Sequence, residues 1–389
     1  MPAAASATNL SEKSMRESRI NDHDSTILLD ALLRERDTMK DIRTEDHFPN
    51  AEIDRLWQLG VMLAPLPIFE GGLGWGTEIA GTLSLRAALQ TLGYGSLSVG
   101  RIYEAHVNAL VLIFRYGDTR IQAAAADAVR DGHLFGLWVA PADKPVRAFR
   151  SGSTLRIVGR KAMCTAAGIA TRAVITALDD NNDERMILID AAQAEIATDA
   201  TLTLHGMRST STKAVMLDCE VSAENSFGRP GDYLREPDFS VGAWRTSAVT
   251  VGGLHALVDE TVRQLQARGQ HADPHQAARI AQMLIKTHTA ALWIRSATQR
   301  IVSHHDEHDG EVGYVNLARL AIEQACLEVI PLVQRSLGLR SLTIGNPVER
   351  LMRDIVTYLR QPAADEILTE AAITFTQTAD PSSLELTPG

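Results

Sequence analysis

The spacing of apolar residues changes twice along this chain, and that double change restricts its fold more than any other feature. In residues 25–132 apolar positions recur three and four apart, the helical spacing. "STILLDALLRERD" (25–37), "AEIDRLWQLG" (51–60), "GTEIAGTLSLRAALQTLG" (76–93), "EAHVNALVLIFRYG" (104–117) and "DTRIQAAAADAVRDG" (118–132) each predict a helix. A glycine-rich break, "FEGGLGWG" (69–76), separates the second from the third. Asp118 is placed to cap the last helix and Gly132 to end it. Residues 133–235 read differently. "LFGLWVA", "TLRIVGRKAM", "RAVITAL", "RMILID" and "KAVMLDCEV" are short β-branched runs bounded by Gly, Asp and Asn. They predict a small antiparallel sheet or barrel. Helical spacing then returns over 236–376. From Asp273 onward, Ile280, Met283, Leu284, Thr287, Ala291, Ile294 and Ile301 fall on one face of a long amphipathic helix. "VNLARLAIEQACLEVIPLVQRSLG" (315–338) is its expected neighbour in a bundle. Residues 1–24 read as a disordered lead and 377–389 as a disordered tail. The class is α+β: a helical domain, a β domain, then a four-helix bundle.

Composition excludes several functions. A chain of 389 residues is long enough for two or three packed units. Acids outnumber bases 48 to 38 and no basic block occurs, which argues against nucleic-acid binding. No run of 18 apolar residues and no secretory h-region occur, so neither a membrane span nor a signal peptide is expected. Cys164, Cys219 and Cys326 are far apart and odd in number, which suits a reduced, cytoplasmic setting. "SHHDEHD" (303–309) offers His304, His305 and His308 as nitrogen donors. It falls where two bundle helices must join and lacks a distant ligand set, so a solvated loop is the better reading and no metal is expected.

Six stretches, in order, resemble the acyl-CoA dehydrogenase family of flavoproteins over roughly residues 25–375. They are "LWQLGVMLAPLPIFEGGLGWG", "YGDTRIQAAAADAVRDGHLFGLWVA", "LRIVGRKAMCTAAGIA", "HGMRSTSTKAVMLDCEVSAEN", "ARGQHADPHQAARIAQML" and "NPVERLMRDIVTY". The resemblance implies FAD between the β domain and the bundle, held partly by a neighbouring subunit of a homodimer or homotetramer. Met163 and Thr165 match the stretch that lines the flavin ring. Arg268 matches the arginine that meets the pyrophosphate, and its planar fork suits phosphate oxygens. Gln276 and Gln334 match glutamines on the adenosine half, and Gly338 lies in the family's glycine turn. Trp244 and Arg245 fall at the substrate end. An electron-transfer partner or a flavin reductase is implied as well.

Departures accompany the resemblance. The glycine turn reads "SLGLRS", with one glycine. The loop "VAPADKPVRAFRSG" lacks the family's Ser-Asp. The family's chemistry needs a carboxylate that takes an α-proton while hydride passes to the flavin. Counted from Arg353-Asp354, its usual position is Pro362. The position used by other members, just before the bundle arginine, is Trp244. The nearest acids are Asp365 and Glu366, one turn farther on. They read more simply as first-turn acids of a helix that starts near Pro362, where the dipole favours them. Such a helix start also offers amides to an anion. His106, on an apolar helix, is a further catalytic candidate whose simpler reading is a core histidine. Three functions stay open: a dehydrogenase with a displaced base acting on an acyl thioester or related substrate; a monooxygenase of the same fold using reduced flavin, FMN included, and oxygen; and a non-catalytic subunit.

Overall fold

The computed structural model of the chain describes residues 23–41, 47–197, 204–303, 309–360 and 364–377. Pro362, His304, His305, His308, nearly all of the expected lead and most of the expected tail lie outside the described residues.

Five helices come first: α1 (residues 23–35), α2 (Asn50–Leu59), α3 (Thr82–Gly95), α4 (Leu97–Tyr116) and α5 (Thr119–Arg130). The Asp118 carboxylate accepts from Ile121 N at 2.9 Å and so satisfies a free amide at the start of α5. Helix α4 begins seven residues before the start read from the sequence, because Ser96 caps it by accepting from Val99 N. Helix α3 starts six residues late, at Thr82, after a short 3-10 turn over Ile79–Gly81. Helix α4 is the one described helix long and apolar enough to cross a membrane, and most of its apolar window is buried inside the protein.

The middle of the chain is an eight-stranded sheet. Its strands are β1 (Phe135–Trp138), β2 (Arg147–Ser151), β3 (Thr154–Cys164), β4 (Arg172–Leu178), β5 (Glu184–Asp190), β6 (Ala194–Ile196), β7 (Lys213–Ser222) and β8 (Ser226–Phe227). Their order is β6-β7-β3-β2-β4-β5-β8, with β1 paired to β4. All five predicted runs are strands. Strands β2, β6 and β8 were not anticipated, because none carries an apolar run. The sheet is also not wholly antiparallel: β4 runs parallel to β1 and to β2.

The last part comprises α6 (Asp238–Val241), α7 (Trp244–Ala267), α8 (Pro274–Ser303), α9 (Asp309–Leu337), α10 (Pro347–Tyr358) and α11 (Ala364–Gln377). Met283, Thr287, Ile294 and Ile301 of α8 are buried as the periodicity implies, whereas Leu284 is 53% exposed and turns away from the core. Helix α7 joins the bundle to the N-terminal helices by backbone contact with α3. A Cβ on Gly93 would stand 2.1 Å from Val249 O, and one on Gly252 would stand 2.1 Å from Gln90 O. Glycine at both positions lets the two helices cross without a side-chain layer. One apolar cluster runs continuously through helices and sheet, and a smaller one fills the space between α4, α5 and β1.

Candidate active site

Helix α10 ties the sheet to the bundle. Pro347 opens it, and Asn346 caps it by accepting from Val348 N at 3.0 Å. Val348, Met352 and Ile355 are buried, and α10 packs against α7. Its polar side holds the loop before β7. Asp354 Oδ1 accepts from Met207 N at 2.6 Å, Thr357 Oγ1 from Gly206 N at 2.9 Å, and Arg353 Nη1 donates to His205 O at 3.0 Å. The approach is close enough that a Cβ on Gly206 would lie 2.3 Å from Arg353 O.

That loop in turn holds the turn after β3. Ala166 N donates to Thr210 O at 2.9 Å, and Ser211 Oγ donates to Ala167 O at 3.0 Å. Thr165 is buried within this turn. Its carbonyl accepts from Trp138 Nε1 at 2.9 Å and its hydroxyl accepts from Thr212 at 3.5 Å. Met163 is 47% exposed at a backbone φ of 52°. A large apolar side chain is thus presented from a left-handed turn that most residues avoid.

A second group gathers where α7 ends, α8 begins and α9 ends. Arg268 follows α7 and donates from Nε to Gln264 O at 3.0 Å. Gln276, in the first turn of α8, donates from Nε2 to Ser336 O at 3.2 Å. Gln334 lies exposed near the end of α9, and Gly338 follows that helix with a φ of 61°. Among the described residues, Arg268 Nη2 and Gln276 Oε1 are buried atoms with no hydrogen-bond partner. A buried polar atom left unpaired costs free energy, so two of them at the same end of the bundle invite a ligand. The four bundle residues share one end of the bundle. Met163 and Thr165 belong to the sheet, and the link between the two groups runs through α10.

A third group lies at the other end of α7. Trp244 and Arg245 are its first two residues, and Trp244 is buried. Beside them stands Glu104 of α4, which the sequence reading passed over. It is 1% exposed. Its Oε2 accepts from Arg101 Nη1 at 2.8 Å and Tyr358 OH at 2.7 Å. Its Oε1 accepts from Thr246 Oγ1 at 2.8 Å and Asn108 Nδ2 at 3.0 Å. Burial works to raise the pKa of this carboxyl, but the charge of Arg101 and these hydrogen bonds outweigh it and hold it low. Burial first, then the charge of Glu104, pushes Tyr358 well above its ordinary value. Thr246 and Tyr358 also line a small cleft of about 20 Å³ between α7, α9 and the end of α10, together with Ser247, Thr250, Arg319 and Glu323. Glu323 accepts from Arg360 Nη2 at 2.6 Å.

The three catalytic candidates are not among the residues that line this cleft. His106 is fully buried, with Nε2 against Met62 O at 3.0 Å and Nδ1 accepting from Phe135 N at 3.2 Å. Both ring nitrogens are occupied by backbone, and burial holds the pKa down at about 4. Asp365 and Glu366 are exposed in the first turn of α11. Two of the four Glu104 partners, Thr246 and Tyr358, come from other segments of the chain, which is why periodicity alone could not find the cluster. A charged residue inside the apolar run "VGRIYEAHVNAL" was the available signal.

Comparison with known proteins shows what this chain is similar to. A profile described as the acyl-CoA dehydrogenase C-terminal domain matches residues 232–362. No curated protein sequence matches. Among solved structures, butyryl-CoA dehydrogenase from Megasphaera elsdenii superposes with a TM-score of 0.75 at 16% identity, over 90% of this chain and 98% of that one. TdsC from Paenibacillus sp. A11-2, solved with FMN and indole, gives 0.78 at 16% identity, over 93% and 98%. KijD3, solved with FMN and a dTDP-linked amino-keto sugar, gives 0.76 at 20% identity, over 90% and 94%. The profile covers the C-terminal third of the chain, and the fold over about nine-tenths of the chain is that of the acyl-CoA dehydrogenases. Structures this similar in fold include a dehydrogenase and a dibenzothiophene monooxygenase.

Proposed function

We propose that the chain is a flavin-dependent oxidoreductase that acts on a polar small molecule, most readily as a monooxygenase supplied with reduced flavin and oxygen. The observation that carries this reading is the Glu104 cluster. A carboxylate, a guanidinium, a phenol, an amide and a hydroxyl stand together beside the cleft and give it a polar wall, which suits a polar substrate better than an alkyl chain. Glu104 itself makes a poor base. Four donors already occupy its oxygens, and its pKa is held low. Among the described residues that line the cleft, Glu323 is the remaining acid, and it is paired with Arg360.

The bundle residues fit a flavin. Arg268 and Gln276 each hold one buried atom ready for a phosphate or an adenosine group, with Gln334 and Gly338 beside them. Met163 and Thr165 would meet the ring. The two orphaned atoms favour FAD, because FMN has no adenosine to reach them. A bound reduced flavin would supply the electrons that let dioxygen place one atom in the product and release the other as water. The protein's part is to position the substrate, to exclude bulk water and to keep the charges of Arg101 and Glu104 fixed. The exposed Leu284, Ile285 and Leu292 of α8 suit burial against a second copy. A flavin reductase would serve as electron donor. The three cysteines are free, which supports a reducing, cytoplasmic setting.

Incorporation of ¹⁸O from ¹⁸O₂ into product, in protein charged with reduced flavin, tests the monooxygenase reading. A second reading has Glu323 freed from Arg360 and acting as the base of an acyl-thioester dehydrogenase. Desaturation of butyryl-CoA that Glu323→Gln abolishes would favour it. Purified protein that is colourless and takes up neither FAD nor FMN would leave the non-catalytic subunit as the reading.

A further inference from the structure

We infer that Arg245 anchors a carboxylate carried by the substrate. This rests on the proposal that the start of α7 is the substrate end of the site, and it adds what the substrate presents there.

Arg245 is held firmly and bonded sparsely. Its Nε donates to Asn108 Oδ1. The amide of Asn108 is oriented from its other side, because Nδ2 donates to Glu104 Oε1. Glu104 is fixed by Arg101, Thr246 and Tyr358. A guanidinium has five N–H donors. Among the described residues the Arg245 terminal nitrogens take no hydrogen bond and no ion pair. Two donating edges are therefore aimed but unused.

The surrounding charge is unbalanced in the same sense. Arg101 pairs with Glu104, and Arg115 pairs with Asp238. Both pairs are neutral, so Arg245 leaves one positive charge over. It is also the second residue of a 24-residue helix. The positive end of the helix dipole lies there and opposes a cation. Burial lowers its pKa to about 10, so the side chain stays charged at neutral pH. Neither the fold nor the local field favours an arginine at this position, and a ligand that brings one negative charge would resolve both. Arg245 Nη2 lies against the backbone of Gly242, where a Cβ would stand 2.7 Å away, and its guanidinium carbon is 5.8 Å from the ring centre of Trp244.

A single excess charge matches a carboxylate better than a phosphate, which carries nearer two negative charges at neutral pH. The planar fork matches two carboxylate oxygens.

The test is calorimetric titration of the full-length protein with sodium propionate, propionamide and inorganic phosphate, after its flavin content is read from the visible spectrum. Propionate is expected to bind, propionamide to give no heat, and phosphate to bind at least tenfold more weakly. Arg245→Gln should weaken propionate at least tenfold while flavin content stays the same. Arg245→Lys provides a check should Arg245→Gln fold poorly. It keeps the positive charge but loses the planar fork, and should weaken propionate severalfold in a folded protein. No propionate binding to the unaltered protein, equal binding to the folded variants, equal binding of propionamide, or preference for phosphate would each overturn the inference. Propionate binding through Arg245 in a protein that takes up no flavin would sink the flavin proposal and leave this one standing. Flavin uptake without propionate binding would do the reverse.

Discussion

The two ends of α7 are finished differently. At its start, Glu104 of α4 has four donors on its two oxygens, drawn from three helices. At its finish, Arg268 and Gln276 each keep a buried polar atom without a partner. Both ends are polar and both are partly enclosed. A saturated network stiffens and specifies a fold. An unsatisfied pair costs stability in the free protein and is repaid when a ligand arrives. The contrast teaches that polar residues in a helical bundle separate into those that hold the bundle together and those it holds out for something else. Arg245 is the exception at the saturated end.

The strongest way to break this contrast is Glu104→Gln. It leaves Arg101 without its counter-charge and should cost about 3–5 kcal/mol, read from denaturant unfolding. A loss under about 1 kcal/mol would mean that the network is only decorative.

A pH series on the same helix sharpens the point. The folded-state pKa of His106 lies below the ordinary 6.5, at about 4. As pH falls, the unfolded chain therefore takes up a proton first. The stability that the neutral ring contributes is complete above about pH 6.5. It drains away as pH falls towards 4, by roughly 3 kcal/mol over that window. His106→Gln should flatten that part of the stability curve relative to the unaltered protein, and parallel curves would refute the assignment.

At the other end of α7, Arg268→Met should behave in the opposite way to Glu104→Gln. Folding stability of the flavin-free protein is expected to change by less than about 1 kcal/mol, because a buried orphan donor is removed along with its one bond. Retention of FAD, followed by fluorescence on dilution, should weaken tenfold or more. Equal retention would detach Arg268 from the cofactor.

The smallest effect is expected at Asp365 and Glu366. Replacing both with alanine should cost no more than about 1 kcal/mol through the helix dipole and leave turnover unchanged. A collapse in turnover would restore them as catalytic candidates.

The sequence made the architecture legible because periodicity is local. Helices α2, α5 and α8 could be read from three- and four-residue spacing, and β3, β4, β5 and β7 from β-branched runs. Strand β2, "RAFRS", could not, since its place comes from pairing with β3 rather than from its own residues. Strands β6 and β8, of three and two residues, are too short to carry a period. For the site, resemblance brought Arg268, Gln276, Gln334 and Gly338 together on paper, and the fold sets them at one end of the bundle. Glu104 escaped because its partners Thr246 and Tyr358 lie 142 and 254 residues away along the chain. Leu284 was misplaced for the opposite reason: a helical stripe shows that a residue lies near an apolar face but does not mark where that face ends.

The grip of α10 on the loop at 205–207 has a consequence for how the chain is made. Met207 and Asp354 are separated by 147 residues. A ribosome adds about 5–20 residues per second, so the loop and the turn that carries Thr165 wait roughly 7–30 s before their clasp exists. For most of that interval the sheet is already complete in sequence while the turn that carries Thr165 has nothing to close it. The order of synthesis thus makes the helix "NPVERLMRDIVTY" the closing piece of the nascent protein.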